Sequence, residues 1–205
     1  MKTSLSATTG VAVAIPLLAL SAAGCHSSSK PSTATTASTP PSAASRGTAP
    51  TSANAPATDY TKLLIHATDI NAPVTFTAGP PIQNPNGRQG AAMTFTEQDG
   101  DHVIRDTILI LPDPAAAAGA LAAAKAAPPL VDAGKPVAAN VGAGGTIISG
   151  KSPNGSQGVT TLLFTEGRAF VTLEFDGPKD IAAPTDFVTD VGRKQDAAIK
   201  QGLSP

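Results

Sequence analysis

The chain has 205 residues, with 14 Lys and Arg set against 15 Asp and Glu, for a net charge of −1. A near-neutral chain with no basic cluster lacks the electrostatic footprint of a nucleic-acid partner or of a surface that holds anionic membranes by charge alone. One Cys, one Tyr and no Trp leave no internal disulfide and predict an aliphatic core with a few Phe, so stability must come from burial.

The N-terminus has the layout of a secretory leader: Lys2, an apolar run from about Gly10, then small residues. The run from Val11 to Leu20 is too short to cross the ~30 Å hydrocarbon core of a bilayer. It closes on Ala22-Ala23-Gly24-Cys25, which holds the only thiol of the chain. This ending resembles the lipobox of bacterial lipoproteins, although Ala22 stands where that family usually has Leu. The resemblance implies that Cys25 receives a diacylglyceryl thioether, becomes the mature N-terminus and ties the protein to the outer side of the cell membrane. The alternative is ordinary cleavage after Ala23, which leaves Cys25 as an incidental thiol. An exported chain with one unpaired thiol favours a use for it.

The sequence therefore divides into a leader (1–24), a lipidated Cys25 with its stalk (25–58) and one folded domain (59–205). The stalk is almost wholly Ser, Thr, Ala and Pro, with only Lys30 and Arg46 charged. It lacks the apolar periodicity needed to offset the entropy of ordering, so it reads as disordered. A coil of this length reaches about 30 Å. It resembles the O-glycosylated stalks of actinobacterial exported proteins; an unmodified linker is the alternative.

From Asp59 there is chain enough for one core. Asp59 reads as the cap of a short helix with Tyr60, Leu63, Leu64 and Ala67 on one face, ended by Asn71 and Pro73. Val74, Phe76 and Ala78 alternate with Thr75 and Thr77 as a strand. Residues 83–88 read as a loop. Ala91, Met93 and Phe95 share one side of a strand that turns at Gln98-Asp99-Gly100-Asp101 and returns over 102–111. Asp113, with Pro114 at the tolerated first position, caps an alanine helix over 115–126, ended by Pro128-Pro129. Strands follow over 142–149, 159–165 and 169–175, and a last helix starts at Pro184 or Thr185. Phe187, Val188, Val191, Ala198 and Ile199 face inward on it, and Gly202 is the expected stop.

The fold class is α+β: an antiparallel sheet with flanking helices. Phe95-Thr96-Glu97 and Phe164-Thr165-Glu166 each precede a turn, a strand and a helix, which echoes a duplicated βββα unit.

Several motifs carry no chemistry. Residues 145–152 spell a phosphate-binding loop, but 146–149 is strand-like and Pro153-Asn154-Gly155 makes a turn instead of a helix. No nucleotide is expected. Asp99, Asp101, His102 and Asp106 lack the spacing of a calcium loop, and Asp99-Gly100 reads first as a hairpin turn. His66 and His102 without cysteines give no zinc site. Gly155-Ser156-Gln157-Gly158 is not a nucleophile elbow. Glu97 and Glu166 hold matching places in the two halves and read as solvated strand-end charges. No catalytic residue, cofactor or metal is expected, and Cys25 is the one site residue.

Together the Ala22–Cys25 ending, the Ser/Thr/Pro stalk and the compact Ala- and Gly-rich domain resemble the small cell-envelope lipoproteins of mycobacteria and related actinobacteria. That resemblance implies a surface antigen, and for some members a PsbP-like fold with the sheet between helices. Residues 60–70 also resemble the opening of the sensor domains of mycobacterial PknH-type kinases, which carry paired cysteines absent here. The expected function is a lipid-anchored, non-catalytic binding or accessory module for a lipid, glycolipid or envelope protein. The alternatives are an envelope hydrolase with an unrecognised acid/base pair, for which Glu97, His102 and Glu166 would have to share one pocket, and a surface protein recognised through its acylated end.

Overall fold

The computed structural model describes residues 58–203. The leader, Cys25 and the stalk up to residue 57 lie outside the described residues. No helix among the described residues is long and apolar enough to cross a membrane.

The described part is an eight-stranded sheet with every pairing antiparallel. Its elements are β1 (Phe76–Ala78), β2 (Ile82–Gln83), β3 (Gly90–Glu97), β4 (Val103–Ile110), α1 (Pro114–Ala126), β5 (Val137–Ala138), β6 (Ala143–Lys151), β7 (Gly158–Glu166), β8 (Ala169–Gly177) and α2 (Thr185–Gly202). The order across the sheet is β1-β3-β4-β8-β7-β6-β5, and β2 pairs β3 further along the β1 edge. The α+β class read from the sequence is the observed one. The central seam joins β4 to β8, with Val103 opposite Asp176 at one end and Ile110 opposite Ala169 at the other.

Side-chain alternation sends the two faces of each strand into two separate cores. Phe95, Ile104, Ile108, Leu162, Phe164, Val171 and Leu173 pack with Val188, Val191 and Ile199 of α2 and with Tyr60–Ile65. Their neighbours in register, Ile148, Leu163 and Phe170, pack on the other side against Leu121 of α1. The helices thus lie on opposite faces of the sheet. About the β4–β8 seam β3 answers β7 and β1 answers β6, but β5 extends one side only, and the helix placement does not match either. A two-fold axis normal to the sheet would put both helices on one face.

Helix α1 starts as its sequence dictates. The Asp113 carboxylate accepts from Ala116 N–H at 2.7 Å with Pro114 in the first turn. Only Ala117 and Leu121 of this helix are buried. Alanine lets it lie close to β7 and β8 but removes little apolar area from water. Helix α2 carries more of the core. Its Gly192 sits against β7, where a Cβ would fall 2.3 Å from Leu162 Cδ2.

Three expectations change. The helix expected after Asp59 is two 3-10 turns, Thr61–Leu63 and Ala67–Asp69, with extended backbone between them. Leu63, Leu64 and Ile65 are all buried, and three consecutive inward residues do not fit one stripe of a helix. Tyr60, not Asp59, is the cap of the first turn, and Asp59 one residue earlier accepts from Thr61 N–H at 2.9 Å. Next, the segment read as a loop over 83–88 begins as part of β2 and contains the 3-10 turn Pro85–Gly87. Finally, Gly202 is the last helical residue, not a stop beyond the helix. It is small because Leu63 packs on it: a Cβ there would lie 2.5 Å from Leu63 Cδ2.

Candidate functional site

The hairpin β3–β4 brings Glu97 and His102 together. The turn closes through Gly100 N–H to Glu97 O at 2.9 Å and Glu97 N–H to His102 O at 3.0 Å. Gly100 takes φ +78, a left-handed geometry that glycine adopts without strain. Asp99 and Gly100 therefore make the turn that their sequence predicts. Across it, His102 Nδ1 lies 2.5 Å from Glu97 Oε2. In the neutral tautomer that donates from Nδ1 to the carboxylate, Nε2 is an acceptor.

The pair stands beside a small apolar pocket on the α2 face. Phe76, Ile104, Phe175, Ile181 and Phe187 form its walls, His102 is on its lining, and its volume is about 100 Å³. Phe175 and Phe187 meet edge to face, with centroids 5.7 Å apart. The loop between β8 and α2 closes one side. Ala183 N–H donates to Thr160 Oγ1 at 3.1 Å, and Lys151 Nζ reaches Asp180 at 3.2 Å. No Ser, Thr or Cys lines this pocket, so the imidazole has no hydroxyl or thiol there to activate.

Glu166 is at the other end of the sheet. It pairs with Ala169, which follows it across the β7–β8 turn, and Ala169 is also opposite Ile110. Glu97 and His102 adjoin the end where Val103 is opposite Asp176. The length of β4 and β8 separates them. Glu166 instead meets α2. Lys200 Nζ is 3.6 Å from Glu166 Oε2 and 2.7 Å from Asp196 Oδ2. Burial raises the Glu166 carboxyl above its usual range and the neighbouring Asp196 adds to this, while Lys200 opposes it. The adjoining cleft, of about 460 Å³, takes Arg168, Lys200, Ile199 and Leu203 into its walls.

The remaining sequence candidates have structural positions. Residues 145–151 of the phosphate-loop spelling run as strand β6, and Gly155 N–H closes a turn on Ser152 O at 2.7 Å. His66 N–H donates to Asp69 Oδ2 at 2.8 Å ahead of the second 3-10 turn. Among the described residues no group of three or more His, Cys, Asp or Glu is placed to hold a metal. Cys25 lies outside the described residues.

Two buried polar side chains take places that the sequence does not signal: Gln195, which it leaves unmarked, and Asp106, which it offers only as a group near the Asp99–His102 turn. Gln195 of α2 is 0% exposed and links the N-terminal segment to the helix. Its Oε1 accepts from Ile65 N–H at 3.1 Å and its Nε2 donates to Leu63 O at 2.7 Å. Asp106 alternates with Ile104 and Ile108 into the α2 core, between Met93 on β3 and Leu173 on β8. It is 0% exposed, and neither carboxylate oxygen has a partner. Burial pushes its carboxyl up to about 8, so it is protonated at neutral pH.

Comparison of the chain with protein-family models, with curated proteins and with solved structures finds no match.

Proposed function

We propose that this is a cell-envelope lipoprotein, held on the extracytoplasmic side of the membrane by acylation of Cys25, whose domain binds an envelope component without chemical turnover. The anchor rests on the apolar leader that ends at the single thiol of the chain. The binding role rests on one structural observation. Glu97 and His102 stand at one end of the sheet and Glu166 at the other, so these acid and base groups do not converge on a common substrate. The sheet held between α1 and α2 also fits the arrangement that the PsbP-like resemblance implies.

The size of the interior bears on the ligand. The apolar pocket beside His102 holds about 100 Å³, short of the ~300–1,000 Å³ typical of sites that enclose a drug-sized ligand, and the cleft of about 460 Å³ at Glu166 has the charged groups of Glu166, Arg168 and Lys200 in its wall. This favours contact at the surface, with a headgroup or a protein, over enclosure of a lipid chain.

Replacing Cys25 tests the anchor. Cys25→Ser is expected to move the protein from the detergent phase to the aqueous phase on detergent partitioning; unchanged partitioning contradicts the reading. The Glu97–His102 contact supports a second reading, hydrolysis by activated water. Ester or amide cleavage by the purified protein that is abolished in His102→Gln would establish it.

A further inference from the structure

We propose that the α1 face of the sheet carries a carbohydrate site, a cleft that takes one sugar ring between the Arg105–Glu174–Asp176 cluster and the segments at Leu130 and Pro153. This deepens the reading of the domain as a binding module and is independent of the anchor.

The cleft lies where α1 leaves the sheet uncovered. It holds about 270 Å³, and Arg105, Gln157, Glu174 and Asp176 supply polar groups to it, while Leu130 and Pro153 supply an apolar side. The polar groups come together through the β4–β8 seam, which sets Arg105 opposite Glu174. Arg105 Nη1 donates to Glu174 Oε1 at 2.8 Å and also to Asp176 Oδ2.

The cluster is incompletely bonded. The Asp176 side chain is only 3% exposed, and its Oδ1 has no partner among the described residues. Thr161, opposite Glu174 on β7, has a buried Oγ1 in the same condition. Buried polar atoms are nearly always paired, so the unpartnered Oδ1 of Asp176, a residue on the wall of this cleft, points to a partner that arrives from outside. Among the described residues Arg105 uses only Nη1, and no bond engages the Gln157 side-chain amide.

The donor and acceptor set defines the ligand. Unused acceptors (Asp176 Oδ1) and unused donors (Arg105 Nε and Nη2) adjoin one another. A hydroxyl donates and accepts, so a polyhydroxylated ring satisfies both. A cation would face the Arg105 guanidinium, which already sits between the two carboxylates. A metal would find only two carboxylates, each already bonded to Arg105 through one oxygen. An anion would face the net negative charge of the cluster. The C–H face of a ring matches Leu130 and Pro153. The same surface continues onto exposed Thr94 and Thr96 and half-buried Thr107 and Thr172, a hydroxyl-rich plane along which a longer glycan can extend.

Saturation-transfer NMR on the full-length protein tests this with D-glucose, D-mannose, D-arabinose and N-acetylglucosamine, and with putrescine as a cationic control. At least one sugar is expected to show transfer, reduced several-fold in Gln157→Ala and Glu174→Gln. Both variants keep the Arg105–Asp176 pair, and unchanged melting temperatures would show that they remain folded. No transfer from any of the four sugars overturns the carbohydrate assignment, and transfer from putrescine alone replaces it with an amine site. Equal transfer in wild type and both variants overturns the location. The binding-module reading is tested separately, by native mass spectrometry of material extracted from the cell membrane. It fails if no envelope component co-purifies.

Discussion

The two faces of the sheet are built from the same strands and differ in what covers them. The α2 face is closed by a long helix and by the segment Tyr60–Ile65, over a continuous set of Phe, Ile, Leu and Val. The α1 face is closed only in part, by an alanine helix that buries Leu121 and Ala117, and its open part carries Arg105, Glu174 and a row of threonines. One strand can serve both because its side chains alternate. The α2 face buries most of the apolar side chains. The α1 face, backed by that core, is free to present polar groups. The exception on the α2 side is Asp106, a lone acid among hydrocarbons.

That exception gives the largest expected effect. The folded Asp106 carboxyl holds its proton up to about 8, against a usual value of 3.8. Between those values the folded state binds more protons than the unfolded state, so stability falls as pH rises through the window. At ~1.4 kcal/mol per pH unit the loss is of order 5 kcal/mol. Urea titrations from pH 4 to 9 are expected to show this decline in the wild type and a much flatter profile in Asp106→Asn. A wild-type profile that rises over the same range would show that the acid is ionised and paired.

The contrast between the faces is sharpened by matched truncations. Phe95 is 0% exposed in the α2 core and Leu121 is 6% exposed under α1. Phe95→Ala is expected to cost about 3–5 kcal/mol and Leu121→Ala about 2–3 kcal/mol, at the low end for buried leucine. Equal losses in chemical denaturation would mean that the two layers share the load. Gln195→Leu gives a smaller effect, about 2 kcal/mol, because it strands Ile65 N–H and Leu63 O without partners. Hydrogen exchange should localise the damage to residues 60–70 and leave the β7–β8 hairpin protected.

Local features were legible in the sequence, and contacts between distant segments were not. The β3–β4 and β7–β8 hairpins follow from alternation and glycine turns at Gly100 and Gly167, and α1 follows from Asp113-Pro114. The neighbours of β4 and β8 depend on the order of the whole sheet. Arg105 and Asp176 are 71 residues apart, and no local pattern pairs them. The same distance hid Gln195, a polar residue on an amphipathic helix whose partners lie at Leu63 and Ile65, 130 or more positions away. The sequence predicts no strand over 127–141, yet Val131 bridges Lys151 and β5 pairs Ile147. Gly134 and the prolines of this segment leave no alternation to read. The placement of α1 and α2 on opposite faces is likewise a property of packing.

The central claim, that the chain is an acylated envelope protein, is tested most directly by intact-mass spectrometry of the protein extracted from its native membrane. The account predicts a mature chain that begins at Cys25 and carries the added mass of a diacylglyceryl group. A chain with an unmodified Cys25, or one that begins at Gly24, would contradict it.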